Sequence, residues 1–494
     1  MNKTESWRKC LAFLKKDEMP IGAYCSPQQA FVKDGIKYPS MINYKTYKLI
    51  ADLGINMVFG HDEVFGLNEK DDKDVFKALD LCEKVGIHYL VNFAISFEYL
   101  GHGEKSDILK EYPGFPDWKK LSAEEKDDLN NRFIKQLRRV KNKKAFAGIY
   151  FIDEAGIESF EGVKEAKKVF EKECPGKLFE IGVFPAQATP LQYRYGFNPK
   201  GMKSIDVVDE TAWDKVNPND HSKRYQYYIE KCMDIIEPEY LWWDAYPFLN
   251  YNDSESMVFQ TLYWHEQFAT WVADKYNAQS WPSLQVGGCW ENCSAVRITD
   301  FADTQLYVNL SLAFGVKGIT LFPVCHPNCW ATDPIADVGV IDRKGNPTDR
   351  YWFYKYAFKQ LKACQKYILK AKFKCALVSG EFKGLLPEKM DKDIEPLVYQ
   401  GELPALYNPV VDSFRELKGL SATNQFFVGC FDYNGKSMFY VVNNSVVTAG
   451  NVELSFDETH TFGMIYKGKE TEVSGDKIKK ARVAAGEGFL LYIK

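Results

Sequence analysis

The stretch FAGIYFIDEAG, residues 146–156, reads as a strand that ends in two adjacent acids, Asp153 and Glu154. A run so rich in Ile, Tyr and Phe buries itself. Buried carboxylates are costly unless they are paired or used. The acid pair is therefore either a structural accident or part of a site, and the segments on either side of it decide which.

Those segments alternate from about residue 19 to residue 370. Short apolar runs read as strands at 20–26, 55–61, 88–96, 146–154, 178–185, 240–247, 281–288 and 316–324. Helical periodicity falls between them. NYKTYKLIADLG places Tyr44, Tyr47, Leu49 and Ile50 near one face and stops at Gly54, and DKDVFKALDLCEKVG stops likewise at Gly86. Four more helices follow in GVKEAKKVFEKECPG, SKRYQYYIEKCMDII, SMVFQTLYWHEQFATWVADKY and FADTQLYVNLSLAFG. Eight strand–helix units in succession predict an α/β chain folded as a (β/α)8 TIM barrel over residues 1–370. A doubly wound open sheet is the rival, but no Gly-rich phosphate turn follows the first strand. After residues 351–368 the pattern changes. FFVGCFDYNGKSMFYVVNNS carries Tyr-Asn-Gly between two apolar runs, a hairpin signal. NVELSFD, TFGMIYKG, TEVSGD and GEGFLLYIK then predict a C-terminal all-β domain, a β-sandwich, over 371–494.

Bulk properties narrow the partners. The 494 residues carry a net charge of −4, so no basic surplus exists to neutralise nucleic-acid phosphates. The 29 Tyr and 11 Trp are a surplus of flat apolar surface with polar edges, suited to sugar rings as well as to core packing. The N-terminal CLAFL is too short for a signal core or a membrane span, which leaves a cytoplasmic protein with no membrane partner as the expectation. Twelve scattered Cys fit a reducing compartment. Cys289 and Cys293, with Cys325 and Cys329, follow strands seven and eight. Four thiols so placed would suit Zn²⁺, but C-x3-C spacing is weakly diagnostic and the expectation is no metal and no cofactor. His61, His88, His102, His221 and His265 form no ligand spacing.

Barrels carry their chemistry at the C-terminal ends of the strands. Strand two ends in His61, Asp62 and Glu63; strand four in Asp153 and Glu154. Strand six ends in Trp242, Trp243, Asp244 and Tyr246. Strand seven gives Gln285, then Trp290, Glu291 and Asn292, and strand eight leads to His326. A single acid at such a place more often caps a helix or pairs with Lys or Arg. The strand-four pair coincides with other acids and aromatics at the same mouth. Strand alternation sends Asp153 and Glu154 to opposite sides, so one is expected to point into the mouth and the other to orient it or touch a ligand. Carboxylates among Trp and Tyr suit glycoside hydrolysis. That reaction uses one protonated and one ionised carboxyl group, about 5–5.5 Å apart for retention and about 6.5–9.5 Å for inversion.

The segments YKLIADLGINMVF, GIYFIDEAG, EPEYLWWDAYPF and LSLAFGVKGITLFPV resemble those of clan A glycoside hydrolases, especially relatives of the family 42 β-galactosidases. The resemblance spans most of residues 19–370 and is one of pattern. It implies a β-glycosidase acting on a carbohydrate substrate, with Glu154 as general acid. It is also compatible with a homo-oligomer, since relatives often form trimers. Two departures stand out. Clan A enzymes usually carry Asn before that Glu, where this chain has Asp153. Their nucleophile ends strand seven, where this chain has Gln285 and the first acid is Glu291 in the next loop.

Three other readings stay open. An Asp-Glu pair on strand four is also the pattern of substrate-assisted N-acetylhexosaminidases. That reading gives Asp153 to the acetamido group, with Trp242, Trp243 or Tyr246 around it. Inversion would use Asp244 as base. A barrel that binds carbohydrate without cleaving it is the third. Alongside the catalytic candidates Glu154, Asp153, Asp244 and Glu291, the expected substrate contacts are His61, Asp62, Trp242, Trp243, Tyr246, Gln285, Trp290 and His326.

Overall fold

The computed structural model describes residues 3–33, 35–100, 118–186, 188, 190–196, 221–248, 255–287, 297–326, 338–379 and 410–494. Eight parallel strands run in chain order: β1 (Ile21–Ala23), β2 (Met57–Phe59), β3 (His88–Asn92), β4 (Phe146–Ile152), β5 (Leu178–Ile181), β6 (Tyr240–Ala245), β7 (Gln279–Gln285) and β8 (Ile319–Phe322). They pair in the order β5-β4-β3-β2-β1-β8-β7-β6. A parallel bridge from Gly182 to Trp242 joins the two ends, and the Val183 N–H donates to the Trp242 carbonyl at 3.3 Å. The eight strands thus close into a barrel. The main helices between and after them are α1 (Tyr44–Leu53), α2 (Glu69–Val85), α3 (Ala123–Val140), α4 (Phe160–Glu173), α5 (His221–Ile235), α6 (Glu255–Tyr276), α7 (Phe301–Ala313) and α8 (Asp349–Ile368).

Local sequence sets the helix ends. Asn43 and Asn68 cap α1 and α2 by accepting from the backbone N–H of Thr46 and Asp71, and the two helices stop at Gly54 and Gly86. Ser122 and Glu125 form a reciprocal capping box on α3. The barrel interior is filled largely by rings. Phe59 stacks on Trp242 at 5.5 Å between centroids. Trp7, from an N-terminal helix (Lys3–Cys10), packs on Tyr240 at 4.8 Å and on Trp281 at 5.5 Å. Strands filled in this way leave polar chemistry to their ends.

Beyond α8 the chain forms an antiparallel sheet: β9 (Lys372–Val378), β10 (Leu417–Ala422), β11 (Phe426–Tyr433), β12 (Lys436–Asn443), β13 (Gly450–Tyr466), β14 (Lys469–Val483) and β15 (Gly488–Ile493). The order is β9-β11-β12-β15-β13-β10, with β14 paired to β13. Asn434 (φ 54°) and Gly435 (φ 81°) make the tight β11–β12 turn that Tyr-Asn-Gly predicts. The sequence predicts separate strands at 451–457 and 461–468. The structure runs them together as β13, with an irregularity between Ser455 and His460 where it pairs with β14. Residues of β12 alternate between two cores. Met438, Tyr440 and Val442 join the barrel's core, while Phe439 and Val441 join a second core with Leu377, Val428, Leu454 and Phe489. A sheet apolar on both faces needs two layers against it, and this one has the barrel helices on one side and its own strands on the other.

Candidate active site

The chain leaves β4 by a sharp device. Glu154 adopts φ 55°, the left-handed region that non-glycine residues seldom enter and that costs about 1–2 kcal/mol. Its N–H donates to the Gly182 carbonyl at 3.1 Å, which holds the bend against the end of β5. The strict alternation expected of a strand ends here. Asp153 and Glu154, both half-buried, lie in one electrostatic cluster with Asp244 of β6.

Asp153 is gripped from several sides. Its Oδ2 accepts from the Tyr24 hydroxyl at 2.8 Å, and the Tyr24 and Tyr150 oxygens lie 2.7 Å apart. Gly182 makes room for it, since a Cβ at that position would collide with Asp153 Oδ1 and come within 2.6 Å of the Trp242 ring. Burial raises the Asp153 pKa, opposed by the Tyr24 bond, the nearby His61 and the Tyr150 hydroxyl. Glu154 is pushed well above the usual carboxylate range, first by burial, then by the charges of Asp153 and Asp244. Burial lifts Asp244 to about 7, with a Tyr246 hydrogen bond opposing and Asp153 adding to the shift. Asp244 Oδ1 is buried and accepts no hydrogen bond among the described residues.

His61 stands beside this cluster, its ring edge-on to Tyr24 at 5.6 Å. Its Nδ1 is 2.9 Å from Asp62 Oδ1. Burial depresses the imidazole pKa, but the Asp62 bond and the surrounding acids outweigh it and the net shift is upward. The loop carrying both residues is braced from below. The His61 N–H donates to Ser26 Oγ at 3.0 Å, and the Ser26 hydroxyl donates to Glu63 at 2.9 Å. Glu63 also accepts from Tyr89 and is lifted to about 8 by burial.

Other residues expected at the mouth have different places. Trp242 points into the barrel beneath the acids, where its Nε1 donates to Thr320 Oγ1 at 3.1 Å. Trp243, one residue on, faces outward: its Nε1 donates to Ser280 at 3.0 Å and its ring stacks on His265 of α6 at 5.9 Å. That orientation removes it from the sugar contacts expected of it. Gln285 is buried at the end of β7 with its amide fully engaged. Nε2 donates to the carbonyls of Phe248 and Arg297, both at 2.9 Å, and Oε1 accepts from the Phe248 N–H at 3.1 Å. It is a clip between two loops and has no hydrogen-bonding capacity left for a substrate through Nε2. His326 is buried as well, with Nε2 accepting from Arg343 at 2.7 Å. Tyr246 remains half-buried beside Asp244, with its ring against Phe322 at 6.0 Å. Glu291 and Trp290 lie outside the described residues, as do Cys289, Cys293 and Cys329. Cys325 is a buried thiol whose pKa is raised by burial. Among the described residues no group of three or more His, Cys, Asp or Glu could hold a metal ion, and no helix is long and apolar enough to cross a membrane.

Sequence reasoning missed Tyr24, Tyr150 and Phe322, the aromatic floor under the acids. The only signal for Tyr24 is its place at the end of the predicted first strand. Nothing local ties it to a residue 129 positions away.

Fold and site together define a (β/α)8-barrel protein with an acidic mouth over an aromatic floor. No protein-family model matches the chain, and no curated protein matches its sequence. Among solved structures it is similar to a family 5 glycoside hydrolase from Bacteroides vulgatus, at 9% identity over 96% of this chain and 89% of that one, with a TM-score of 0.47. A family 39 glycoside hydrolase from Bacteroides cellulosilyticus gives 10% identity, 97% and 82% coverage and a TM-score of 0.44. An exo-β-1,4-mannosidase from an Opitutaceae bacterium gives 14% identity and a TM-score of 0.39, and this chain spans 59% of its length against 69% of its own.

Proposed function

We propose that this protein hydrolyses O-glycosidic bonds, with Glu154 as the general acid and Asp244 as the second carboxylate. One observation carries the reading. Glu154 stands at the end of β4 in one cluster with two other acids, Asp153 and Asp244, whose charges together with burial push its pKa well above the usual carboxylate range and so favour its protonated form. A protonated carboxyl group is what an unactivated leaving oxygen needs. Asp244 brings a buried oxygen with no partner among the described residues, suited to a water or a substrate atom. Asp153 is already bound by Tyr24, which makes it the fixed member of the three. A neutral sugar ring over Phe322 and Tyr246 is the substrate this mouth fits, and β-galactosides are the first to try given the family resemblance.

The test is a panel of 4-nitrophenyl glycosides in both anomeric forms. Glu154→Gln and Asp244→Asn are each expected to lower kcat/KM by about 10²–10⁴-fold on the substrate cleaved. Full activity in Glu154→Gln would sink the assignment. The anomer released first, followed by proton NMR, bears on Asp244: inversion makes it the base for water, and retention makes it the nucleophile where cleavage is not confined to 2-acetamido-2-deoxy glycosides.

A second reading has its own support. The described end of β7 offers an amide, Gln285, in place of a carboxylate, and Asp153 lies beside the Tyr24 and Trp242 rings. Those features suit an acetamido group acting as nucleophile. Hydrolysis confined to 2-acetamido-2-deoxy glycosides would establish that reading. Hydrolysis of none of the panel would favour a binding protein.

A further inference from the structure

Tyr24 follows β1, and Asp153 follows β4, with β2 and β3 between them in the barrel wall. The 2.8 Å bond between them therefore reaches across the mouth. Tyr24 has no freedom to leave it. Its ring is buried among Phe59, His61, Tyr150, Trp242 and Phe322, with centroids 5.1–6.1 Å away. Its proton is committed to the carboxylate, and the Tyr150 oxygen lies 2.7 Å from its own. Tyr24 and Tyr150 together form a chain of phenols that favours the charged form of Asp153. A carboxylate is the better acceptor for such a chain when ionised, because hydrogen bonds to charge are about twice as strong as neutral ones. On the side of its other oxygen, Asp153 Oδ1 fills the space that a side chain at Gly182 would take, next to the Trp242 ring.

We propose that Tyr24 is a positioning residue of the acid pair, which pins Asp153 across the mouth as a fixed anion so that Glu154 retains the proton it delivers. This rests on Glu154 being the general acid. Asp153 is faced by Tyr24, Tyr150, His61, Asp244, Tyr246 and Glu180. Glu154 is faced by Asp153, Asp244, Tyr246, Tyr150 and Tyr228. Among these, Tyr24 and Tyr150 are the phenols that favour the charged form of Asp153. Loss of the Tyr24 hydroxyl makes Asp153 easier to protonate, weakens its repulsion of a charged Glu154 and lets Glu154 lose its proton at lower pH.

The experiment is the pH profile of Tyr24→Phe on the 4-nitrophenyl glycoside that the wild type cleaves. The alkaline limb of kcat/KM is expected to move down by on the order of one pH unit. The expected kinetic signature is a fall in kcat with KM little changed. Carboxyl ¹³C NMR of the unliganded protein should show the Asp153 titration displaced upward. An unmoved limb with an unmoved Asp153 signal, or a rise in KM alone, overturns the proposal. If Tyr24→Phe does not fold, Tyr150→Phe removes the other phenol of the chain and must shift both readouts the same way. Glu154→Gln is assayed in parallel with 4-nitrophenyl and 2,4-dinitrophenyl leaving groups. Equal retention of both would show that the acid assignment has failed, whatever Tyr24→Phe does; the NMR titration reports on Tyr24 independently.

Discussion

Gly182 and Asp153 occupy one another's space: the carboxylate oxygen Oδ1 lies where a Cβ of residue 182 would stand, with the Trp242 ring behind it. A methyl group there has nowhere to go. Gly182→Ala is expected to cost about 1–3 kcal/mol through overpacking and to push Asp153 off the Tyr24 hydroxyl. The measurement is a urea midpoint together with kcat/KM. The loss of activity should exceed what the fraction unfolded explains. A variant with wild-type kinetics would mean that Asp153 tolerates displacement.

Gln285 offers a sharper test, because its position tempts a repair. A Glu there would supply a carboxylate where the clan A glycoside hydrolases, which the sequence resembles in pattern, carry theirs. The hydrogen bonds say otherwise. Gln285 donates twice, to Phe248 O and Arg297 O, and accepts once from the Phe248 N–H. An ionised Glu donates to neither carbonyl and sets its charge against both. Gln285→Glu is expected to lose at least about 2 kcal/mol of stability at pH 8, since each buried group left unpaired costs about 1–3 kcal/mol. Acid should recover part of the loss, as a protonated carboxyl regains one donor. Equal stability at pH 5 and pH 8, or a gain in hydrolysis, would contradict the clip.

How far the sequence reveals this molecule depends on the range of the interaction. The eight barrel strands are legible because each is a short apolar run between helical segments, a local signal. The hairpin at Asn434–Gly435 is legible for the same reason. Strand ends name their residues but not their directions. Trp242, Trp243 and Gln285 are equally plausible mouth residues by position, and only packing sends one inward, one outward and one into a clip. Alternation misleads at Asp153 and Glu154 because the left-handed turn at Glu154 is imposed by the end of β5, not by the local sequence. The Tyr24–Asp153 bond joins residues 129 positions apart, a pairing that no local pattern encodes.

Stability should fall as the pH rises, and Glu266 gives a way to see it away from the mouth. Its side chain is buried between α6 and α7. One oxygen accepts from the Ser311 hydroxyl, and the other has no partner among the described residues. Burial lifts its pKa from 4.5 to about 8. The folded state therefore holds a proton that the unfolded state releases at lower pH. The contribution is complete below the unfolded value and is lost as the pH rises toward the folded one, by at most about 1.4 kcal/mol per pH unit. Glu266→Gln removes this slope. Its urea midpoint should match the wild type near pH 5 and exceed it at pH 8. A variant less stable than the wild type at pH 8 would show that Glu266 is charged and paired when folded.

The last prediction concerns α7. Every residue from Asp303 to Ala313 is buried, which a barrel helix facing solvent would not show. The antiparallel sheet covers its outer face. Tyr440 donates to Asn309 Oδ1 at 2.7 Å, Asn309 Nδ2 donates to the Gly486 carbonyl at 3.1 Å, and Phe314 packs on Phe427 at 4.9 Å. From α8, Gln360 donates to the Ile465 carbonyl at 2.9 Å. Residues 1–370 alone would expose this face as one apolar patch with orphaned amides, a surface that drives association. The fragment is expected to aggregate on gel filtration and to lose near-UV circular dichroism. Polar substitutions at Phe314 and Leu310 should not rescue it, because both also belong to the barrel's own core. A monodisperse fragment with the native near-UV spectrum would show that the barrel folds without the sheet.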